Sequence, residues 1–159
     1  MPVKHSKTKV TSSQVASDSE YSEFLSGLKL IGLGLRSSEA TLDRQKFWKL
    51  TQEQEKSRRR VSETYKVTGV GEKFFEAEVR YEVCLGEADA VGLRVSCTFE
   101  VHMHARPPID KAMVERFSNS DLRFILLPYA RHFISDMTGE MQIPPVVLPL
   151  VAAARKTGV

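Results

Sequence analysis

The run Phe74-Phe75-Glu76-Ala77-Glu78-Val79-Arg80-Tyr81-Glu82-Val83-Cys84-Leu85 decides the fold. Its odd positions, Phe75, Ala77, Val79, Tyr81, Val83 and Leu85, are apolar, and its even positions are mainly Glu76, Glu78, Arg80 and Glu82. Only Phe74 and Cys84 break the alternation. A period of two marks a strand with one face buried and the other wet. Residues 91–103 repeat it, with Val91, Leu93, Val95, Cys97, Phe99, Val101 and Met103 against Gly92, Arg94, Ser96, Thr98, Glu100 and His102. Gly86-Glu87-Ala88-Asp89-Ala90 is turn-like and makes the two runs an antiparallel hairpin. Upstream, Val61, Tyr65 and Val67 alternate with Ser62, Thr64, Lys66 and Thr68, and Gly69-Val70-Gly71 supplies a tight turn. Three strands therefore form a meander.

Working toward the N-terminus, residues 43–60 are charged, with Phe47, Trp48 and Leu50 as their large apolar side chains. They form a long loop or a short helix. Before them Leu28, Leu30, Ile31, Leu33 and Leu35 alternate irregularly with Gly27, Gly32 and Gly34. So many glycines disfavour helix. The pattern predicts a strand that is apolar, and buried, on both faces. Residues 1 to about 20 are rich in Ser, Thr and Lys with almost no large apolar side chain, and are expected to be a disordered polar tail.

Toward the C-terminus the period changes after Pro107-Pro108. Ser118-Asn119-Ser120-Asp121 offers N-caps, and Leu122, Ile125, Leu126, Tyr129, Phe133 and Met137 recur on one helical face. Pro128 predicts a kink or a tight early turn, and Gly139 a stop. The stretch from Gln142 to Leu150 holds three prolines and reads as extended chain; Ala152 to Ala154, with Arg155 and Lys156, would add a last helical turn.

The fold class is thus α+β: a four-stranded antiparallel sheet, one long helix and a Pro-rich crossover. At 159 residues and 42% hydrophobic content, one domain spanning 21–159 with a real core is expected. No apolar run reaches the ~18 residues of a membrane span, and the Lys-containing N-terminus has no apolar stretch behind it. A cytoplasmic protein without membrane insertion is expected. The net charge of +3 is concentrated. Residues 44–60 contribute Arg44, Lys46, Lys49, Lys56, Arg58, Arg59 and Arg60 against Glu53 and Glu55.

Four strands about 4.8 Å apart present a face roughly 19 Å wide, and one helix covers only ~10–12 Å. Something else must lie on that face: a second subunit, the Pro-rich segment folding back, or a bound partner.

Chemistry is sparse. Gly32-Leu33-Gly34 lacks the third glycine of a dinucleotide loop, and Gly69-Val70-Gly71-Glu72-Lys73 lacks the spacing and the Ser or Thr of a phosphate loop. His102 and His104 share a strand face about 7 Å apart, and Cys84 has the same parity, but Cys97 points the other way and no carboxylate completes a metal set. No Ser or Cys nucleophile pairs with a base. Neither an enzyme nor a cofactor is expected. Arg58, Arg59 and Arg60 could meet phosphates, yet no aromatic side chains interleave with them to stack bases.

The segment Phe124-Ile125-Leu126-Leu127-Pro128-Tyr129-Ala130-Arg131, followed by His132-Phe133-Ile134-Ser135-Asp136-Met137, resembles the first long helix of the SecB family of export chaperones. Ile143-Pro144-Pro145-Val146-Val147-Leu148 looks like that family's crossover loop. The order of elements matches as well. The resemblance is strong over residues 118–150 and weaker over 24–105. It implies an ATP-independent chaperone, a homotetramer built as a dimer of dimers, that holds unfolded polypeptide clients in apolar grooves for export or handover. The client-binding residues it suggests are Ile143, Val146, Val147, Leu148 and Leu150 of the crossover, with Phe124, Leu127 and Met141 nearby.

Two departures bear on partners. SecB proteins are usually acidic and dock the export motor SecA through an acidic sheet face and a C-terminal tail. Here Arg80 and Arg94 interrupt Glu76, Glu78, Glu82 and Glu100, and the sequence ends soon after the crossover. Some SecB-like proteins instead protect the antitoxin of a toxin–antitoxin system, so SecA and an antitoxin both stand as partners. A competing class is a β-rich interaction or nucleic-acid module using Arg58–Arg60, which would lose its ligand between 50 and 200 mM salt.

Overall fold

The computed structural model describes residues 17–53, 59–87 and 90–149. Their elements run α1 (Asp18–Ser26), β1 (Lys29–Leu42), α2 (Arg44–Gln52), β2 (Arg59–Val70), β3 (Phe74–Leu85), β4 (Leu93–His104), α3 (Lys111–Ser120) and α4 (Leu122–Glu140). The expected four-stranded antiparallel sheet and long final helix are both present. Strand order is β1-β4-β3-β2, so the meander β2-β3-β4 is flanked by β1 on the far side of β4, and α2 lies in the crossover.

The odd positions of β3 and β4 form the core face. Phe75, Val79, Tyr81 and Val83 from β3, and Leu93, Val95, Cys97 and Val101 from β4, are buried there. Helix α4 lies over β4, and α3 over β2. The buried line of α4 is Leu122, Leu126, Ala130, Ile134 and Thr138, one residue every four. The expected line shared Leu122 and Leu126 but placed Tyr129 inward, and Tyr129 is half exposed. Pro128 lies within α4, as expected, and Gly139 does too: the helix ends at Glu140, with Met141 as its C-cap and Gln142 following at φ 57°.

Two helices were not expected. Residues 17–20, assigned above to the polar tail, open α1: the Glu20 N–H donates to the Ser17 hydroxyl and the Ser17 N–H to the Glu20 carboxylate, a capping box. Residues 1–16 lie outside the described part, as do the expected last turn at 152–154 and Lys56 and Arg58. Helix α3 occupies the stretch before Ser118-Asn119-Ser120-Asp121, so Ser118 to Ser120 end one helix instead of starting the next. Asp110 caps α3 by accepting from the Ala112 N–H at 2.9 Å. Aromatic rings fasten both helices to the sheet: Tyr21 stacks with Phe24, Phe24 with Phe75, and Phe75 meets Phe117 edge-on.

Strand β1 corrects the largest expectation. It is an edge strand, not a strand buried on both faces. Its register slips between Leu30 and Gly32 and again between Leu35 and Ser37, which makes Ile31 and Arg36 the extra residues of two bulges. The first bulge resets the alternation. Leu30, Leu33 and Leu35 pair with Met103, Val101 and Phe99, so all three fall on the core face. The apparent two-sidedness was one apolar face interrupted by a bulge.

Helix α2 seats on the end of the β3–β4 hairpin through Phe47, which is buried. Gly92 is required there: a Cβ at that position would lie 2.7 Å from the Phe47 backbone nitrogen.

Candidate functional site

Because α4 lies over β4 and α3 over β2, the core face of β1 is covered only in part, with Leu33, Ala40 and Leu42 packed against the core. Leu30 and Leu35 are 43% and 46% exposed although they share a face with buried Met103 and Phe99. A cavity of about 380 Å³ opens between sheet and helix, lined by Phe99 from β4, the ladder partner of Leu35, and by Tyr129, Phe133 and Met137 from α4. These α4 residues stand at positions i, i+4 and i+8, the row next to the buried one. His132, Asp136 and Glu140 follow on its outer side, with His132 Nε2 3.2 Å from an Asp136 oxygen. Apolar surface left uncovered in a row along a helix and an edge strand can take extended polypeptide: side chains leave water at about 25 cal/mol per Å², and no chemical step is needed.

The crossover borders the far end of α4. It is tied down by groups outside itself. The Val146 N–H donates to Thr138 Oγ1 at 2.9 Å, and that buried hydroxyl donates to the Ile134 carbonyl at 2.8 Å. Arg44 donates to the Met141 carbonyl at 2.9 Å, and Arg59 donates to the Val147 carbonyl. Part of the basic block is thus engaged within the chain, and Arg60 approaches Cys84 Sγ at 3.9 Å.

The residues expected to meet clients divide into three groups. Phe124 and Val147 are exposed, at 70% and 46%. Leu127, Met141 and Val146 are partly buried against the core. Ile143 and Leu148 point into the core, at 4% and 1%, because the crossover folds back over the helix end with those side chains beneath it. Leu150 lies outside the described residues. The cavity was not singled out in the sequence. Tyr129, Phe133 and Met137 were visible on one helical face; Phe133 and Met137 do pack partly against the core, Tyr129 is half exposed, and buried Phe99 carried no mark to distinguish it from its strand neighbours.

The opposite sheet face is polar and internally paired. Arg36 pairs with Glu78, Arg80 lies 3.2 Å from Glu82, and His102 stands between Glu76 at 3.1 Å and Glu100 at 3.5 Å. His102 thus meets two carboxylates. Beneath α4, Glu63 sits on the core face of β2 opposite Tyr81, 3.7 Å from Arg123. Among the described residues, one Glu63 oxygen and the Tyr81 hydroxyl are buried with no partner in good hydrogen-bond geometry, and the two groups face each other across the ladder. Burial, then the Glu63 charge, pushes the Tyr81 phenol far up, so it stays protonated.

No protein-family model and no curated protein matches the chain. Solved structures do. The Mycobacterium tuberculosis Rv1957 SecB-like chaperone, solved in complex with a ChAD peptide from the Rv1956 HigA1 antitoxin, is 15% identical, with a TM-score of 0.64 over 80% of this chain and 90% of that one. A Streptococcus agalactiae protein of unknown function is 10% identical, with a TM-score of 0.47 over 77% of this chain and 96% of that one, too low to build on. The first likeness is one of fold: this chain has a SecB-like fold. Among the described residues no helix is long and apolar enough to cross a membrane.

Proposed function

We propose that this protein is a SecB-like chaperone that holds unfolded polypeptide segments, without ATP, in the groove between α4 and the exposed face of β1. The observation that carries the reading is the open cavity that Tyr129, Phe133 and Met137 line above Phe99, whose ladder partner Leu35 is half exposed, with Leu30 exposed farther along the same strand face. Extended clients would add many weak contacts along such a groove, so affinity comes from length more than from one sequence. Phe124, Leu127, Met141, Val146 and Val147 extend the surface around the helix. Among the described residues the outer edge of β1 pairs with no strand and suits the strand of a second copy; a dimer, and from it a homotetramer, is the assembly we infer.

A second reading, in which the client is one antitoxin, is favoured by the ChAD peptide held by the Rv1957 chaperone. Both readings need the same groove. The test is fluorescence anisotropy of a labelled, slow-folding protein, unfolded and native, titrated with this chain. Binding of the unfolded form alone, with Kd below about 1 μM, little changed by added salt, is expected. Equal binding to both forms, or none, would overturn the chaperone reading. Binding of a disordered antitoxin tail in preference to the generic client would select the dedicated role, and binding lost between 50 and 200 mM salt would favour the nucleic-acid class.

A further inference from the structure

Residues 141–149 form a strap with few bonds of its own. Pro144, Pro145 and Pro149 have no N–H to donate, so the segment depends on bonds made by the rest of the chain. Backbone carbonyls of α4 anchor its first three residues, with the Met141, Gln142 and Ile143 N–H groups donating to Met137, Gly139 and Thr138, and three side chains add the rest. Thr138, in α4, holds the middle at Val146. Arg44 holds the start at the Met141 carbonyl and Arg59 holds the far part at the Val147 carbonyl. These two arginines are the first residue of α2 and the first of β2, so they come from the two ends of one connection. The strap's own Ile143 and Leu148 turn inward and are buried, at 4% and 1% exposure.

The quality of the fastening differs along it. Thr138 is fully buried, whereas both guanidinium contacts are solvent-exposed and end on neutral carbonyls. A guanidinium binds a carboxylate in preference, and bidentately. The two end fasteners are therefore the ones that solvent, or a carboxylate-bearing segment, can displace.

We propose that Arg44 and Arg59 are a clasp that holds the strap shut, and that its release exposes Ile143 and Leu148 as further apolar surface for a bound polypeptide. This rests on the chaperone reading and extends it to regulation of the same site. The shut state hides part of the surface and protects the free protein from self-association. An open population raises the affinity for long clients in proportion to its size.

The test is amide hydrogen exchange at Val146 and Leu148 in the full chain, wild type against the Arg44→Ala/Arg59→Ala variant. Uptake of an apolar fluorescent dye and anisotropy with an unfolded client are measured alongside. Unchanged far-ultraviolet circular dichroism confirms that the variant folds, and the single Arg59→Ala replaces it if it does not. Exchange at both amides should quicken about tenfold, with greater dye uptake and several-fold tighter client binding. Unchanged exchange overturns the clasp, and quicker exchange without greater dye uptake overturns the exposure of Ile143 and Leu148. If the wild type binds no unfolded client while exchange and dye uptake both rise, the clasp stands and the chaperone reading fails.

Discussion

The two edge strands of the sheet carry similar numbers of apolar residues and put them to different uses. In β2, Val61, Glu63, Tyr65 and Val67 lie on the core face, beneath α3 and the start of α4, and are half-buried, while Ser62, Thr64, Lys66 and Thr68 face water. Its alternation is regular up to a bulge at Thr68. In β1, Leu30, Leu33 and Leu35 face the same side of the sheet; Leu33 packs against the core, but Leu30 and Leu35 remain 43% and 46% exposed. An edge strand whose apolar face is covered contributes to folding. One whose face is left partly bare offers surface for binding, and the fold tolerates the exposure because β3 and β4 already supply the core.

That contrast can be broken most sharply at the groove wall. Met137→Glu places a charge beside Phe99 and Phe133, and should weaken unfolded-client binding at least about 30-fold, the loss of one well-buried apolar contact with added desolvation. Its melting temperature should fall little, because Met137 is only partly buried. Anisotropy and thermal unfolding of the same sample separate the two effects.

Reciprocal changes at the edges sharpen it. Val67→Ser on β2 should destabilise the fold by about 1–2 kcal/mol and leave client affinity alone, since its side chain packs against the core. Leu35→Ser on β1 should cost under about 0.5 kcal/mol of stability, because the side chain is half exposed, while lowering affinity several-fold. Denaturant unfolding with parallel anisotropy decides the matter, and equal stability losses at the two sites would erase the distinction drawn here.

Two smaller effects probe the frame. Burial pushes the Cys97 thiol up to about 11. Alkylation at pH 8 should therefore be slower than for a free thiol by at least about 100-fold, and become rapid only in denaturant. Tyr21 donates its hydroxyl to Asp121, and burial first, then that hydrogen bond, raises the phenol from 10.0 to about 12. A raised tyrosine means that the folded state holds the proton more tightly. Its contribution is complete below pH 10 and is lost as pH rises through 12. Tyr21→Phe should flatten that part of the stability profile, read by denaturant unfolding from pH 9 to 12.

Much of this fold was legible because its strands and last helix obey local periodicity. Residues 74–85 and 91–103 could hardly be anything but a hairpin, and β3 and β4 follow within two residues. Helix α1 was legible in principle: Ser17 and Glu20 form a capping box, and Tyr21, Phe24 and Leu25 follow at helical spacing. It was lost because the polar composition of the first sixteen residues set the boundary too late. Helix α3 was obscured by the Ser118–Asp121 run, whose capping chemistry fits an end as well as a start. The bulge at Ile31 could not be seen, since an extra residue looks like apolar side chains on both faces. The site was less legible than the fold. Whether Phe133 and Met137 lie in a core or on a groove wall depends on where α4 stops covering the sheet, and that is set by long-range packing.

The most direct test of the central claim is methyl nuclear magnetic resonance of the Leu-, Val- and Met-labelled protein titrated with an unfolded client. Groove binding predicts the largest shifts at Leu30, Leu35 and Met137, with Val61, Val67 and Val114 on the β2 side nearly unchanged. The largest shifts on the β2 side, with the groove methyls silent, would contradict it.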